Sequence, residues 1–467
     1  MSSFIKKIGK LKGDRNFYRM TLGIALPIMI QNGISNFVSL LDNVMIGRVG
    51  TNALSGVAIA NQIIFVYFLL IFGATAGVGI FTAQYAGCND TNGVRNTFRY
   101  KLVSNTLLSL LSILIINHFG ETLISLFLQG EGSPEDAAES LEAGLDYLHV
   151  MLIGLIPTGL SFAYSGTLRD TGETKLPMTA SVAAIFVNLA GNYILIYGHF
   201  GLPALGAVGA AAATVLSRFV ELGILAFSTG LRSDTYPFIK KAFSTLRIPR
   251  DLALKFAVRS LPLIANETLW ALSQTFMNQS YSYRSLDAVA ALNIESTIWN
   301  LMGVSFIAMG EAVGIIVGQE LGKGKIKEAK DDAAKLIAFT VLCGTVFGAV
   351  MVIIAPFFPL IYNTSESIKH MAAGFIMIYG ILMPLYAFNH ASYFTIRSGG
   401  NTLITFVFDS CFAWVISVPS AFLLSRYTSL NVTVLIASVQ SLELIKCIIG
   451  FKMIRGGAWA KMLTADS

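Results

Sequence analysis

Apolar stretches long enough to cross a bilayer follow one another along the whole chain, separated by short polar segments. A helix needs ~20 residues to cross a ~30 Å hydrocarbon layer. Such stretches are read at roughly 21–46, 53–85, 98–118, 145–169, 176–197, 204–230, 255–282, 288–320, 333–357, 371–396, 402–424 and 431–454. Inside lipid every backbone polar group must find a partner within the protein, which leaves helices or closed barrels. Runs this long, without period-two alternation, select helices. The expected fold is all-α and integral to a membrane, with twelve transmembrane helices. The composition agrees: of 467 residues 54% are hydrophobic and only 13% charged, against about 25% charged in soluble chains. A disordered chain, a coiled coil and an ordinary soluble enzyme are thereby excluded.

The formal net charge is +6. A basic balance can signal nucleic acid, but here the cations sit between the spans, so a lipid bilayer is the expected partner and nucleic acid is not. With the N-terminus placed inside, the inner segments collect almost all Lys and Arg, beginning with Lys6, Lys7, Lys10 and Lys12. Only Arg48, Arg284, Lys369 and Arg426 fall outside, and Arg218 lies within a span. The positive-inside rule then puts both termini in the cytoplasm, with an even number of spans. The basic N-terminal segment precedes an apolar stretch too long for a signal sequence, so the first span is expected to stay in the membrane. The cysteines Cys88, Cys343, Cys411 and Cys447 are scattered, which argues against a disulfide framework or zinc site.

The outer segment 120–146 carries Glu121, Glu131, Glu135, Asp136, Glu139, Glu142 and Asp146. Ser133-Pro134-Glu135-Asp136 reads as a helix start: a cap, a proline at the first position, then acids at the positive end of the dipole. A short solvated helix is expected there. The linker 231–254 holds Lys240, Lys241, Arg247 and Arg250 between Pro237 and Pro249 and should lie along the anionic inner surface. It divides the chain into an N-terminal bundle, 1–230, and a C-terminal bundle, 255–467.

The halves repeat. At an offset of 235 residues Pro27 pairs with Pro262, Gly79 with Gly314, Gln84 with Gln319 and Gly87 with Gly322. Six spans per half, starting from the same side, make a parallel repeat of the kind found in transporters. Gly73, Gly77 and Gly79, and Gly206, Gly209 and Ala210 to Ala213, read as close-packing surfaces. Pro27, Pro157, Pro262 and Pro384 allow bends in the spans.

Acids inside spans are costly and are functional candidates by default. Asp42, Glu221, Glu267, Glu295, Glu311, Asp409 and Glu443 qualify, and Glu443 could pair with Lys446 at i+3. Asn188 and Asn192 share a helix face at i, i+4. With Asp42 they offer one carboxylate and two amide oxygens, a hard-oxygen set suited to Na+, or to a carboxylate that cycles a proton. Thr214 could add a hydroxyl. The competing reading is interhelical hydrogen bonding. Trp270, Phe276 and Trp299 could face an aromatic cation, against a reading as packing or lipid-facing residues. No P-loop, zinc-protease motif or nucleophile elbow occurs, so ATP-driven transport and enzyme activity are not expected.

Taken together, Pro27-Ile28-Met29-Ile30-Gln31, Asp42-Asn43-Val44-Met45-Ile46-Gly47, Gln84-Tyr85-Ala86-Gly87, Arg169-Asp170-Thr171-Gly172, Gly318-Gln319-Glu320-Leu321-Gly322 and Arg397-Ser398-Gly399-Gly400 resemble the multidrug and toxic compound extrusion (MATE) family over nearly the whole chain. Asn188 to Asn192, followed by Gly206-Ala207-Val208-Gly209-Ala210-Ala211, completes the resemblance. It implies two pseudo-symmetric six-helix bundles around a V-shaped central cavity. It also implies export of organic, often cationic and aromatic compounds in exchange for Na+ or H+ by alternating access. The family's cation or proton site carries over to Asp42, Asn188, Asn192 and Thr214, and its acid in the seventh span to Glu267. Glu295, Asp409 and Glu311 are secondary candidates. Gln31, Asn32, Trp270, Phe276, Trp299 and Asn389 are assigned to the substrate cavity. Some members carry an aspartate where this chain has Asn192, and many an acid in the tenth span, where Asn389 and His390 stand. A monomer in the cell membrane is expected, with no cofactor beyond the coupling ion. The rival cargo is a lipid-linked saccharide, moved by a flippase of related architecture.

Overall fold

The computed structural model describes residues 13–128 and 133–464. Lys6, Lys7, Lys10, Lys12 and Glu131 lie outside the described residues. Among those described there are helices and turns and no strand. In chain order the long helices are α1 (Arg15–Gly47), α2 (Thr51–Gly87), α3 (Thr91–Leu128), α4 (Pro134–Asp170), α5 (Lys175–Tyr197) and α6 (Gly206–Leu231). Then follow α7 (Arg250–Ser282), α8 (Leu286–Gly322), α9 (Ile326–Ile354), α10 (Glu366–Ser398), α11 (Thr402–Tyr427) and α12 (Val432–Gly456). Eleven of them are long and apolar enough to cross a membrane. The twelfth, α7, has the length at 33 residues but also carries Arg250, Asp251, Lys255, Arg259 and Glu267.

Helix α3 shows why the fold needs lipid. Asn105 and Ser109 are fully buried, whereas Leu107 and Leu114 are 61% and 68% exposed. A water-soluble helix would invert this arrangement. The buried amide N–H groups and hydroxyl are partnered, although Asn105 Oδ1 is not. Asn105 Nδ2 donates to Thr75 Oγ1 and to the Gly159 carbonyl, each at 3.0 Å, tying α3 to α2 and α4.

The chain forms two compact units. One comprises Ile30–Thr82 and Asp90–Ser260; the other comprises Met1–Met29, Ala83–Asn89 and Leu261–Ser467. In the first, Tyr67, Ile71, Leu148, Leu155 and Ala211 belong to the buried core. Tyr67 Oη donates to the Leu155 carbonyl at 2.6 Å. Helices α5 and α6 approach closely because Gly209 lacks a Cβ, which would stand 2.5 Å from the Leu195 carbonyl oxygen. The expected cap is present: Ser133 Oγ accepts from Asp136 N at 3.2 Å, with Pro134 opening α4. The separate short helix expected between spans three and four is not. Helix α3 runs to Leu128 and the capped turn is the start of α4 itself, because the acids after the cap continue straight into the apolar run. The segment after α6 is pinned to α3 by Arg99, whose guanidinium donates to the carbonyls of Lys241 (2.5 Å) and Ala242 (2.8 Å). There Lys240 pairs with Asp234 and holds its carboxyl below the usual range.

The second unit packs Ile28, Met309, Val313, Leu336 and Phe394 into its core. The sequence repeat becomes a reciprocal contact here. A Cβ on Gly87 would stand 2.0 Å from the Gln319 carbonyl oxygen, and a Cβ on its repeat mate Gly322 would stand 2.0 Å from the Gln84 carbonyl oxygen. The Gln84 side chain adds bonds to Ser398 O (3.0 Å), Lys461 O (3.1 Å) and Leu463 N (2.7 Å), fastening the chain after α12. Gly322→Val is expected to push the ends of α2 and α8 apart and to lower stability by about 1–3 kcal/mol, as overpacking does. Thermal unfolding in detergent checks it, and an unchanged midpoint refutes the steric account.

Candidate functional site

The first unit gathers four of the sequence-assigned residues into one polar chain. Asn192 Nδ2 donates to Asp42 Oδ1 at 2.6 Å and reaches Asn188 Oδ1 at 3.4 Å. Asn188 Nδ2 donates to Thr214 Oγ1 at 3.0 Å, and that hydroxyl is held by the Ala210 carbonyl at 3.0 Å. The spacing of four residues puts both amides on one face of α5. The close seat of α6 brings Thr214 to them. Tyr197 Oη donates to the Met45 carbonyl at 3.1 Å and ties the end of α1, with Asp42, to α5. Asn188 is 6% exposed and Asn192 1%.

One group here lacks a partner. Asn192 Oδ1 is buried and accepts nothing. A buried acceptor without a donor costs about 1–3 kcal/mol. Beside a carboxylate, such an oxygen suits a cation or a proton. Among the described residues no three His, Cys, Asp or Glu side chains come together as a metal cluster. The available oxygens are therefore one carboxylate plus amides and a hydroxyl, which suit a hard monovalent ion better than a transition metal. Arg218 pairs with Glu221 at 3.0 Å on the same helix. Gln31 accepts from Arg169 Nη2 at 2.7 Å.

The second unit assembles a different centre around Glu267. Tyr393 Oη donates to Glu267 Oε1 at 3.2 Å and accepts from Asn266 Nδ2 at 3.3 Å. Asn266 Nδ2 also donates to Asp409 Oδ2 at 3.1 Å. Asp409 Oδ1 meets Lys446 Nζ at 2.6 Å. The pairing of Glu443 with Lys446 expected from their i, i+3 spacing does not form. Glu443 Oε2 accepts from Asn389 Nδ2 at 2.7 Å instead. Helix spacing permits a pair; the buried carboxylate of Asp409 on α11 competes for the ammonium and takes it. Asn389 is thus 4% exposed and bonded to an acid.

The remaining candidates separate. Glu295 is 4% exposed, and its Oε1 has no partner. Trp299, one turn on, sits among Tyr386 (5.0 Å), Tyr379 (5.3 Å) and Phe306 (5.5 Å). Trp270 and Phe276 project from α7, 41% and 45% exposed, with Phe276 edge-on to Trp414 at 5.3 Å. Glu311 is partly buried on α8. Sequence reasoning missed Asn266, Tyr393 and Lys446. Lys446 carries a signal, a lysine inside Leu444-Ile445-Lys446-Cys447-Ile448, which the sequence reading takes as an inner-side charge and as a possible partner of Glu443 but not of Asp409.

The family described as MatE matches residues 27–194 and 262–423, one stretch in each half. A probable multidrug resistance protein NorM of Thermotoga maritima is 25% identical over 87% of this chain and 86% of its own length. A probable multidrug resistance protein YoeA of Bacillus subtilis is 25% identical over 90% of each. Among solved structures, the outward-facing conformation of a multidrug resistance MATE family transporter superposes with a TM-score of 0.85 at 20% identity, covering 96% of both chains. A transporter of the same superfamily from Pyrococcus furiosus, described by the reverse polarity of its binding pocket, matches with a TM-score of 0.80 at 21% identity and 96% coverage. These structural likenesses support the two-lobed, all-helical fold. With both repeats matched by the family pattern, this chain belongs to the MATE family and is an integral membrane transporter, not an enzyme.

Proposed function

We propose that this transporter is a secondary antiporter that exports organic, often cationic and aromatic compounds in exchange for Na+ or H+. The observation that carries this reading is the Asp42 centre, a carboxylate joined to Asn192, Asn188 and Thr214 with the Asn192 Oδ1 oxygen left unpaired. In this arrangement an amide N–H occupies the side of the carboxylate that a cation would take. A half-turn of the Asn192 amide exchanges that donor for an oxygen and turns the group into a Na+ ligand set. A protonated Asp42 would serve equally, as a donor to the same oxygen. Coupling requires that ion and cargo favour different conformations. The relatives' names support organic drugs as cargo. The exposed Trp270 and Phe276 suit contact with such compounds, while Gln31, Asn32, Trp299 and Asn389 are placed in the cargo cavity on sequence grounds. The asymmetry of Lys and Arg supports a cell-membrane protein with both termini in the cytoplasm, acting as a monomer.

Ethidium efflux from proteoliposomes, with Na+ and pH gradients imposed separately, tests the reading. Acceleration by either gradient supports exchange and names the ion. Failure of both refutes it and moves the assignment to lipid-linked cargo.

A further inference from the structure

The two units treat their buried acids differently. In the first, Asp42 is met by a neutral amide. In the second, Asp409 is met by a covalently tethered cation. Asp409 lies in a π-helical turn, Val407–Cys411, a widened geometry common where a helix aims a functional side chain. Lys446 stands in the first turn of Glu443–Gly456. The two side chains are 17% and 11% exposed and meet at 2.6 Å. The second Asp409 oxygen accepts from Asn266, so both oxygens are engaged. Phe408 and Phe412 lie 5.4 and 5.9 Å from Lys446 Nζ and present their ring faces to it, a cation–π enclosure. Glu443 is turned to Asn389.

We propose that Lys446 is a resident counter-cation that fills the place of an exchanged ion at Asp409, so that Asp409 takes no ion during the transport cycle. Lys446 acts through Asp409 and is a positioning residue that sets how many ions the second unit can exchange. The inference deepens the ion-exchange reading of this transporter and rests on it; its own test is the count of ions bound. A cation carried on the chain cannot leave with the cycle, and the carboxylate it neutralises is withdrawn from coupling. Removing it exposes a buried carboxylate already flanked by the Asn266 amide and, beyond it, the Tyr393 hydroxyl, which is a group that seeks a replacement cation.

The test is equilibrium binding of radioactive Na+ to the purified full chain at alkaline pH, where free carboxylates are ionised. Lys446→Met is expected to bind one Na+ per chain more than the parent. Lys446→Met/Asp409→Asn, an uncharged pair of similar size, is expected to bind as many as the parent. No gain in Lys446→Met overturns the proposal, as does one ion fewer in the double variant, since that would make Asp409 an exchange site in the parent. Where Lys446→Met does not fold, Lys446→Gln, which keeps a polar group beside Asp409 but no charge, takes its place, and no gain in that variant overturns the proposal equally. A purely structural lysine would change stability in both variants and the ion count in neither. Asp42→Asn, measured alongside, bears only on the first unit: an undiminished count there would remove Na+ as the ion of the Asp42 centre while leaving the result for Lys446 intact.

Discussion

Asp42→Asn is expected to cut ion-driven efflux severely while leaving insertion and folding intact; this is the largest functional effect expected of any single substitution in the first unit. The substitution keeps shape and hydrogen-bonding capacity, so α1 and α5 stay linked through the Asn192 amide. It removes the one negative charge that a cation or proton needs. Coupling free energies between ligands correspond to roughly 5–150-fold changes in affinity, so gradient-driven efflux should fall at least about tenfold. Proteoliposomes matched for protein content, with ethidium as the reporter, give the comparison. Efflux at the parental rate would remove Asp42 from the mechanism. Asn192→Ala should weaken the ion dependence while retaining some transport, because it removes an oxygen and not the charge.

The largest stability effect is expected at the C-terminal end of α4 in the same unit. Lys101 is fully buried on α3, and its Nζ meets Asp170 Oδ2 at 2.7 Å, with Thr167 Oγ1 at 3.4 Å. Asp170 closes α4, 19% exposed, against the bare backbone of Gly79. A buried ion pair contributes little net stability when compared with an apolar pair, but losing one partner strands the other and costs roughly 3–5 kcal/mol. Lys101→Met should therefore lower the unfolding midpoint sharply. Lys101→Met/Asp170→Asn should recover most of the loss, because no charge is then stranded. Unfolding in detergent of both singles and the double gives the cycle. A double variant as unstable as Lys101→Met would mean that packing, not charge, holds this corner.

The resemblance to MATE transporters already named Asp170 within its motif, yet its partner was invisible. Lys101 reads in sequence as one more positive charge on the inner side. Only the packing of α3 against α4 shows it to be fully enclosed. The Asp42 centre was more legible. Asn188 and Asn192 are four apart, so one helix face must hold both, and the acid in a neighbouring span was a natural third member. The Glu267 centre was half legible. Its acids stood out because charge in a span is costly, but Asn266, Tyr393 and Lys446 come from three separated stretches, and nothing local draws them together. Glu443 and Lys446 show the limit most clearly. Their i, i+3 spacing predicted a pair, and each instead bonds a residue on another helix.

What the sequence determined by itself follows from solvent and period. Hydrocarbon forbids unpaired backbone, so long apolar runs had to become helices. The distribution of Lys and Arg gave an expected orientation, and the offset of 235 residues gave the repeat, later visible as Gly87 and Gly322 each resting on the other helix's backbone. What only the tertiary structure decided is which buried charges are already neutralised. Partner choice inside a low-dielectric interior depends on distances of a few ångströms between helices far apart in sequence. Such distances leave no local trace in the chain, so Asp42 facing an amide and Asp409 facing an ammonium look alike until the helices are packed.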